Sequence, residues 1–205
     1  MPTLFYDLET SGFGDKRTPL SHPNQPRIVQ LGVVLDDDNQ KELMRLDVII
    51  RHPEAPQCVI DSWRGAEKVH GISPEKAMLV GVDETTAIDL FLDLIDAADT
   101  IVGQNIKGFD NDIVTGTVRR LHQAENIDPF VDKQIFDTML AAQPVCKIPG
   151  SRGGYKKPNL TEIHKFFFNG QAFDGAHQAI SDVLAARRCY YELQKLAQQA
   201  KERLK

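Results

Sequence analysis

Asp7 and Glu9 stand two residues apart in LFYDLETSGFG, residues 4 to 14, a stretch that otherwise opens like an apolar strand. Side chains alternate along a strand, so the two carboxylates share one face. Adjacent carboxylates repel each other and resist joint ionisation unless protons or cations come between them. The pair therefore marks either a sheet face open to water or a place where divalent cations are held. Leu4, Tyr6 and Leu8 make the opposite face apolar.

A metal site needs acids from elsewhere in the chain, and two stretches offer them. NIKGFDNDIV carries Asp110 at the start of a helical pattern, after a short strand, with Asn105 and Phe109 before it and Asp112 behind. The ends of such strands are where open α/β sheets place ligands. Taken alone, an acid at this position is first of all one that complements the helix dipole. GAHQAISDVLAARRCYYEL places Asp182 within an apolar helical face beside Ile180, Val183 and Ala186, where an acid needs a partner. His177 lies five positions earlier, near the start of that helix. It is either a surface or capping residue or, beside bound cations, a base that takes a proton from water at neutral pH.

The elements that must position these residues follow from pattern. Residues 3 to 8, RIVQLGVVLD from Arg27, and residues 44 to 51 read as strands; the compact turn at residues 36 to 41 makes the last two an antiparallel hairpin. DSWRGAEKVHGIS reads as a short helix and turn capped by Asp61 or Ser62. Asp83 to Ala98 has helical spacing, TIVGQ is a strand, and Asp110 to His122 is again helical. QIFDTML, residues 134 to 140, reads as a strand passing into a helix. After a Pro/Gly-rich loop, residues 144 to 158, LTEIHKFFF gives a helix closed by Asn169 and Gly170, and the final helix runs from near His177 to about Ala200. Three strands in hairpin order, then helices alternating with short strands, imply an α/β fold with a mixed sheet flanked by helices.

Bulk properties agree with a single domain over residues 1 to 205, with 41% hydrophobic and 26% charged residues. Cys58, Cys146 and Cys189 form neither a CxxC pair nor a metal-ligand cluster, and no stretch has the length of a membrane span. The N-terminal stretch lacks the basic start and apolar run of a signal peptide, so the expectation is a soluble cytoplasmic protein without a membrane partner. A net charge of -5 normally counts against a nucleic-acid partner, but cations held by clustered carboxylates reverse the local field.

YDLETSG, NIKGFDNDI and HQAISD, in that order and with four residues between His177 and Asp182, resemble the three motifs of the DEDDh family of 3′→5′ exonucleases. That family includes the epsilon proofreading subunit of bacterial DNA polymerase, ribonuclease T, oligoribonuclease and the TREX enzymes. VHGIS and KKPNLTEIHKFFF agree with it, so the resemblance spans residues 4 to about 193. Gln178 stands where the sister DEDDy family has its tyrosine. The His-x4-Asp motif also argues against an endonuclease of the RNase H group proper.

The resemblance implies an RNase H-like fold with a mixed five-stranded sheet. It implies two Mg²⁺ or Mn²⁺ ions held by Asp7, Glu9, Asp110 and Asp182, with Asp7 bridging both and Asp110 acting at the second ion. His177 is then the general base, and nucleoside 5′-monophosphates are released from single-stranded DNA or RNA 3′ ends. Family contacts to substrate fall on Thr10, His70, Ile72, Asn105 and Phe109; Phe109 and Ile72 fit core packing equally well. Asp137 matches a recurring family acid and reads as structural. An exonuclease-fold subunit that docks to a polymerase or repair complex is the alternative, and several relatives are homodimers.

Residues 147 to 165 hold Lys147, Arg152, Lys156, Lys157 and Lys165 against Glu162, with three interleaved glycines. This surplus suits a flap that contacts phosphates, with Lys156 and Lys157 as substrate ligands, or a solvated surface loop.

Overall fold

The structure, a computed structural model, describes residues 2 to 151 and 153 to 203. Its sheet is built from β1 (Thr3–Thr10), β2 (Ile28–Asp36), β3 (Glu42–Arg51), β4 (Val82–Asp83), β5 (Thr100–Gly103) and β6 (Gln134–Asp137). The order across the sheet is β4-β3-β2-β1-β5-β6. β1, β2 and β3 are antiparallel neighbours, while β5 runs parallel to β1 and β6 parallel to β5. The sheet is mixed, as the pattern predicts, with six strands in place of five. The added strand is the two-residue β4, parallel to the end of β3; both its residues are exposed, so no apolar alternation announces it.

The helices are α1 (Gln57–His70), α2 (Pro74–Val80), α3 (Glu84–Asp96), α4 (Asp110–His122), α5 (Thr138–Cys146), α6 (Leu160–Phe167) and α7 (Ala179–Arg203). Expectation and structure differ at α1, which starts at Gln57 rather than at an Asp61 or Ser62 cap. Pro56 leads into it with φ -59°, its carbonyl accepts from Val59 and Ile60, and no side chain caps the helix. Asp61 instead accepts from Gln57 on the helix surface at 2.8 Å. The final helix begins at Ala179, leaving His177 in the loop before it.

β2 is buried at every position, as a strand covered on both faces must be. On one face Leu4, Tyr6 and Leu8 of β1 join Leu31 and Val33 of β2 and Ile88 and Phe91 of α3 in the main core. On the other, Phe5, Val34 and Val102 pack against Val183 of α7. Asp7 and Glu9 continue the Phe5 face, so both acids lie on the side that α7 covers.

Gly32 permits α7 to come so close. It pairs with Asp7 across the strands, and a Cβ there would lie 2.6 Å from the main-chain carbon of Ala179. Next to it, Oε1 of Gln30 accepts from the Ala179 N–H at 3.4 Å. Among the described residues no helix is long and apolar enough to cross a membrane.

Candidate active site

The ends of β1, α4 and α7 bring the acids together. Asp7 and Glu9 are half-buried, and the register shift after Glu9 ends the regular pairing of β1 with β2 at this point. Asp110, 3% exposed, opens α4. The chain reaches it through Asn105, in the left-handed region at φ 62°, and a single 3-10 turn, Ile106–Gly108. Asp137 holds that turn: its carboxylate accepts from the N–H groups of Asn105 (3.0 Å) and Lys107 (3.4 Å) while also capping α5. Asp137 is thus structural, as the sequence suggests.

Asp182 sits in the first turn of α7. Ligand atoms of Glu9, His177 and Asp182 lie within 4.8 Å of one another. Oδ2 of Asp182 accepts from the His177 N–H, while Oδ1 is buried with no hydrogen-bond partner among the described residues. Burial raises the Asp7 carboxyl well above the ordinary carboxylate range, and the charges of Asp110, Asp182 and Glu9 add to it. Burial, with the Asp182 charge, pushes Glu9 up to about 7. Burial also raises Asp110 to about 7, against main-chain hydrogen bonds from Asp110 and Leu8 that lower it. It raises Asp182 to about 6, opposed by the His177 main chain and ring. Four mutually repelling carboxyls and an orphaned carboxylate oxygen form a donor set that fits hard divalent cations.

His177 is exposed, with φ 67°, at the mouth of this cluster. Beside Glu9 lies a groove of about 410 Å³ lined by Leu8, Thr10, Phe13, Ala66, His70 and Phe109, among others. Small residues on one face of α1, Ser62, Gly65 and Ala66, leave room for it. Thr10 lines this groove, but its hydroxyl donates to the Gly12 carbonyl at 2.9 Å. His70 lines it too, its Nδ1 accepting from the Ile72 N–H at 3.1 Å.

Ile72 falls outside the groove. At 3% exposure it packs with Val29, Trp63 and Ala77, and its carbonyl accepts from the Trp63 indole. This placement agrees with core packing, one of the two readings its sequence allows. Asn105 and Asp112 line a second cavity of about 350 Å³, together with Phe13, Lys16, Gln25 and Phe109.

Phe13 was not among the sequence candidates. It is 91% exposed, its ring centroid 5.9 Å from that of Phe109, and the two rings form a wall common to both cavities. The available signal was a large aromatic in the polar stretch directly after the first acidic motif.

The basic stretch forms a small hairpin in which Pro149 bridges Tyr155. Gln104, at the end of β5, donates to the Pro158 carbonyl at 3.0 Å and so ties its base to the rim of the site. Lys156 is engaged: its Nζ pairs with Glu162 at 2.5 Å. Lys157 and Lys165 are exposed, and Arg152 lies outside the described residues.

No protein-family model and no curated protein sequence matches the chain. Solved structures do. Exonuclease I of E. coli in complex with a dT13 oligonucleotide is similar at 21% identity, covering 99% of this chain and 42% of that one, with a TM-score of 0.70. Its complex with a dA16 oligonucleotide gives 21% identity, 91% and 39% coverage and a TM-score of 0.66. A zinc-bound form of its complex with single-stranded DNA gives 20%, 97%, 41% and 0.66. The chain thus has the RNase H-like α/β fold found in these structures, and it spans about two fifths of the length of the chains it matches.

Proposed function

We propose that the protein is a 3′→5′ exonuclease that removes nucleoside 5′-monophosphates from single-stranded DNA ends with the help of two divalent cations, Mg²⁺ or Mn²⁺. The observation that carries this reading is the convergence of Asp7, Glu9, Asp110 and Asp182, with His177 at the mouth, beside a groove of about 410 Å³. The likeness in fold to Exonuclease I, solved with DNA oligonucleotides, supports DNA as substrate.

Asp7, Glu9, Asp110 and Asp182 would hold the cations. When bound, such a pair supplies positive charge at both the entering and the departing oxygen of an in-line displacement. The protein's own part is to seat the last nucleotide in the groove beside Glu9, against Thr10, His70 and the Phe13 and Phe109 rings. Water attacks the terminal phosphorus, His177 takes the proton from water, and the bond from phosphorus to the 3′ oxygen of the preceding nucleotide breaks, that oxygen taking a proton from solvent to become the new 3′ hydroxyl. Exposure suits His177 to this role, because the base must pass its proton to solvent before each new cycle.

The test is digestion of 5′-labelled DNA and RNA oligomers with Mg²⁺, Mn²⁺ or EDTA, with Asp7→Ala as control. The expected result is a ladder shortening by one nucleotide on DNA, absent in EDTA and in Asp7→Ala. Equal inactivity of wild type and variant on every oligomer would transfer the fold to a docking role.

A further inference from the structure

Residues 11 to 27 connect β1 to β2 with no regular element, yet the loop is internally well bonded. Its hub is Gln25, whose side chain is buried at 6% residue exposure in a segment that is otherwise largely exposed. Oε1 accepts from the Asp15 N–H at 3.0 Å. Nε2 lies within donating distance of the Asp15 carbonyl (2.8 Å), the Thr18 hydroxyl (2.9 Å), the Pro19 carbonyl (3.2 Å) and the Thr18 carbonyl (3.3 Å). One amide thus grips Asp15 from both sides of its peptide and ties it to the next turn of the loop.

Arg27 completes the grip. Its guanidinium, in a residue 5% exposed, donates to the carbonyls of Gln25 (2.7 Å) and Pro23 (2.8 Å). Its main chain exchanges hydrogen bonds with Ser11, N–H to hydroxyl and carbonyl to N–H, each at 2.9 Å. The main chain is therefore fixed at Ser11 and at Asp15, two residues on either side of Phe13.

Phe13 itself is 91% exposed, and the Phe109 ring is its one aromatic neighbour among the described residues. A ring with so little packing of its own takes its direction from the backbone that carries it.

We propose that Gln25 is a positioning residue for nucleic acid: by clamping Asp15 it holds the Phe13 ring in place as a stacking surface between the two cavities. This rests on the exonuclease reading. A base stacked on an aromatic ring contributes about 1–3 kcal/mol to single-strand binding, so a ring left free to wander weakens binding without altering the acids that do the chemistry.

Three measurements on the full chain test it. Trypsin acts on metal-free protein without nucleic acid, and in Gln25→Met cleavage after Lys16 and Arg17 should be faster than in wild type. With a single-stranded DNA oligomer, Gln25→Met should raise KM about tenfold and leave kcat within about twofold, in keeping with the loss of one stacking contact. In a Phe13→Ala background the same change should add no further rise in KM. Gln25→Glu, which keeps the acceptor for the Asp15 N–H and loses the donors, is the second variant and should fall between wild type and Gln25→Met. Unchanged cleavage at Lys16 and Arg17, a fall in kcat at constant KM, or full additivity with Phe13→Ala would each overturn the proposal. Failure of the wild type itself to degrade the oligomer would sink the exonuclease reading and this proposal with it, whatever trypsin shows.

Discussion

The main-chain N–H of His177 donates to Oδ2 of Asp182 at 3.2 Å, so the residue at the mouth of the site is tied by its backbone to one of the acids inside. The ring is left uncommitted by this bond, and the other carboxylate oxygen of Asp182 has no hydrogen-bond partner among the described residues. Backbone and ring of His177 thus have separable roles, one orienting Asp182 and one facing water.

The separation predicts the behaviour of His177→Ala. The backbone bond survives the substitution, so Mn²⁺ binding, measured by calorimetry, should stay within a few-fold of wild type. Turnover of a DNA oligomer should fall by about 10²–10⁴-fold, the usual loss on removing a general base. Near-full activity at neutral pH would refute the role.

Stability should depend on pH in a direction set by the acids. Glu9, Asp110 and Asp182 are raised to about 7, 7 and 6, and Asp7 is raised as well. In the unfolded chain these groups titrate near about 4, so the folded state holds protons there that the unfolded state has released. Their contribution is present in full below that value and is lost as pH rises to about 7. In EDTA, Tm should therefore decline between pH 5 and pH 8, and saturating Mn²⁺ should raise it more at pH 8 than at pH 5. A metal-free Tm that climbs steadily across this range would contradict the clustering.

Gly32→Ala should injure the site from a position that touches no substrate. Its methyl would meet the Ala179 carbon at 2.6 Å and the Ile180 nitrogen at 2.7 Å, both main chain, so α7 must move off the sheet. A cost of about 1–3 kcal/mol in stability is expected for such overpacking. Because Asp182 rides on the same helix, Mn²⁺ affinity should drop by at least about tenfold, with one pKa unit or 1.4 kcal/mol as the scale. Unaltered metal affinity by calorimetry would show that the close approach does not set the Asp182 position.

Lys156 and Lys157 should differ, although the sequence presents them as a pair. Lys156 is held by Glu162, whereas Lys157 is exposed. If the hairpin meets phosphates, Lys157→Gln should flatten the plot of log affinity against log salt by about 0.7, the value for one single-strand contact, and Lys156→Gln by less. Binding titrations from 50 to 200 mM salt measure this; identical slopes for wild type and Lys157→Gln would make the hairpin a solvated loop.

Asp7, Glu9 and Asp182 stood out because each sits where a periodic pattern breaks, the first two in strand alternation and Asp182 within an apolar helical face, whereas Asp110 was marked by its place at a helix start. The sheet was legible because β2 is a long run rich in β-branched residues and β3 alternates along its length. α2 left no such trace, since Met78, Leu79 and Val80 in its seven residues are all exposed and give no amphipathic stripe. Ile72 looked like its neighbour His70, and only packing against Trp63 separates the two. Gln25 had no signature at all: its partners are mainly main-chain atoms 6 to 10 residues away, and any sequence supplies those.

Glu9 belongs to the first strand and Asp182 to the last helix of the described fold. Asp7 and Glu9 therefore leave the ribosome well before the fourth acid, Asp182, is made. On the two-cation reading proposed above, the four-acid site is complete only when α7 has docked over Gly32. On that reading metal binding would report the docking of α7, and a nascent or truncated chain lacking α7 should be catalytically silent.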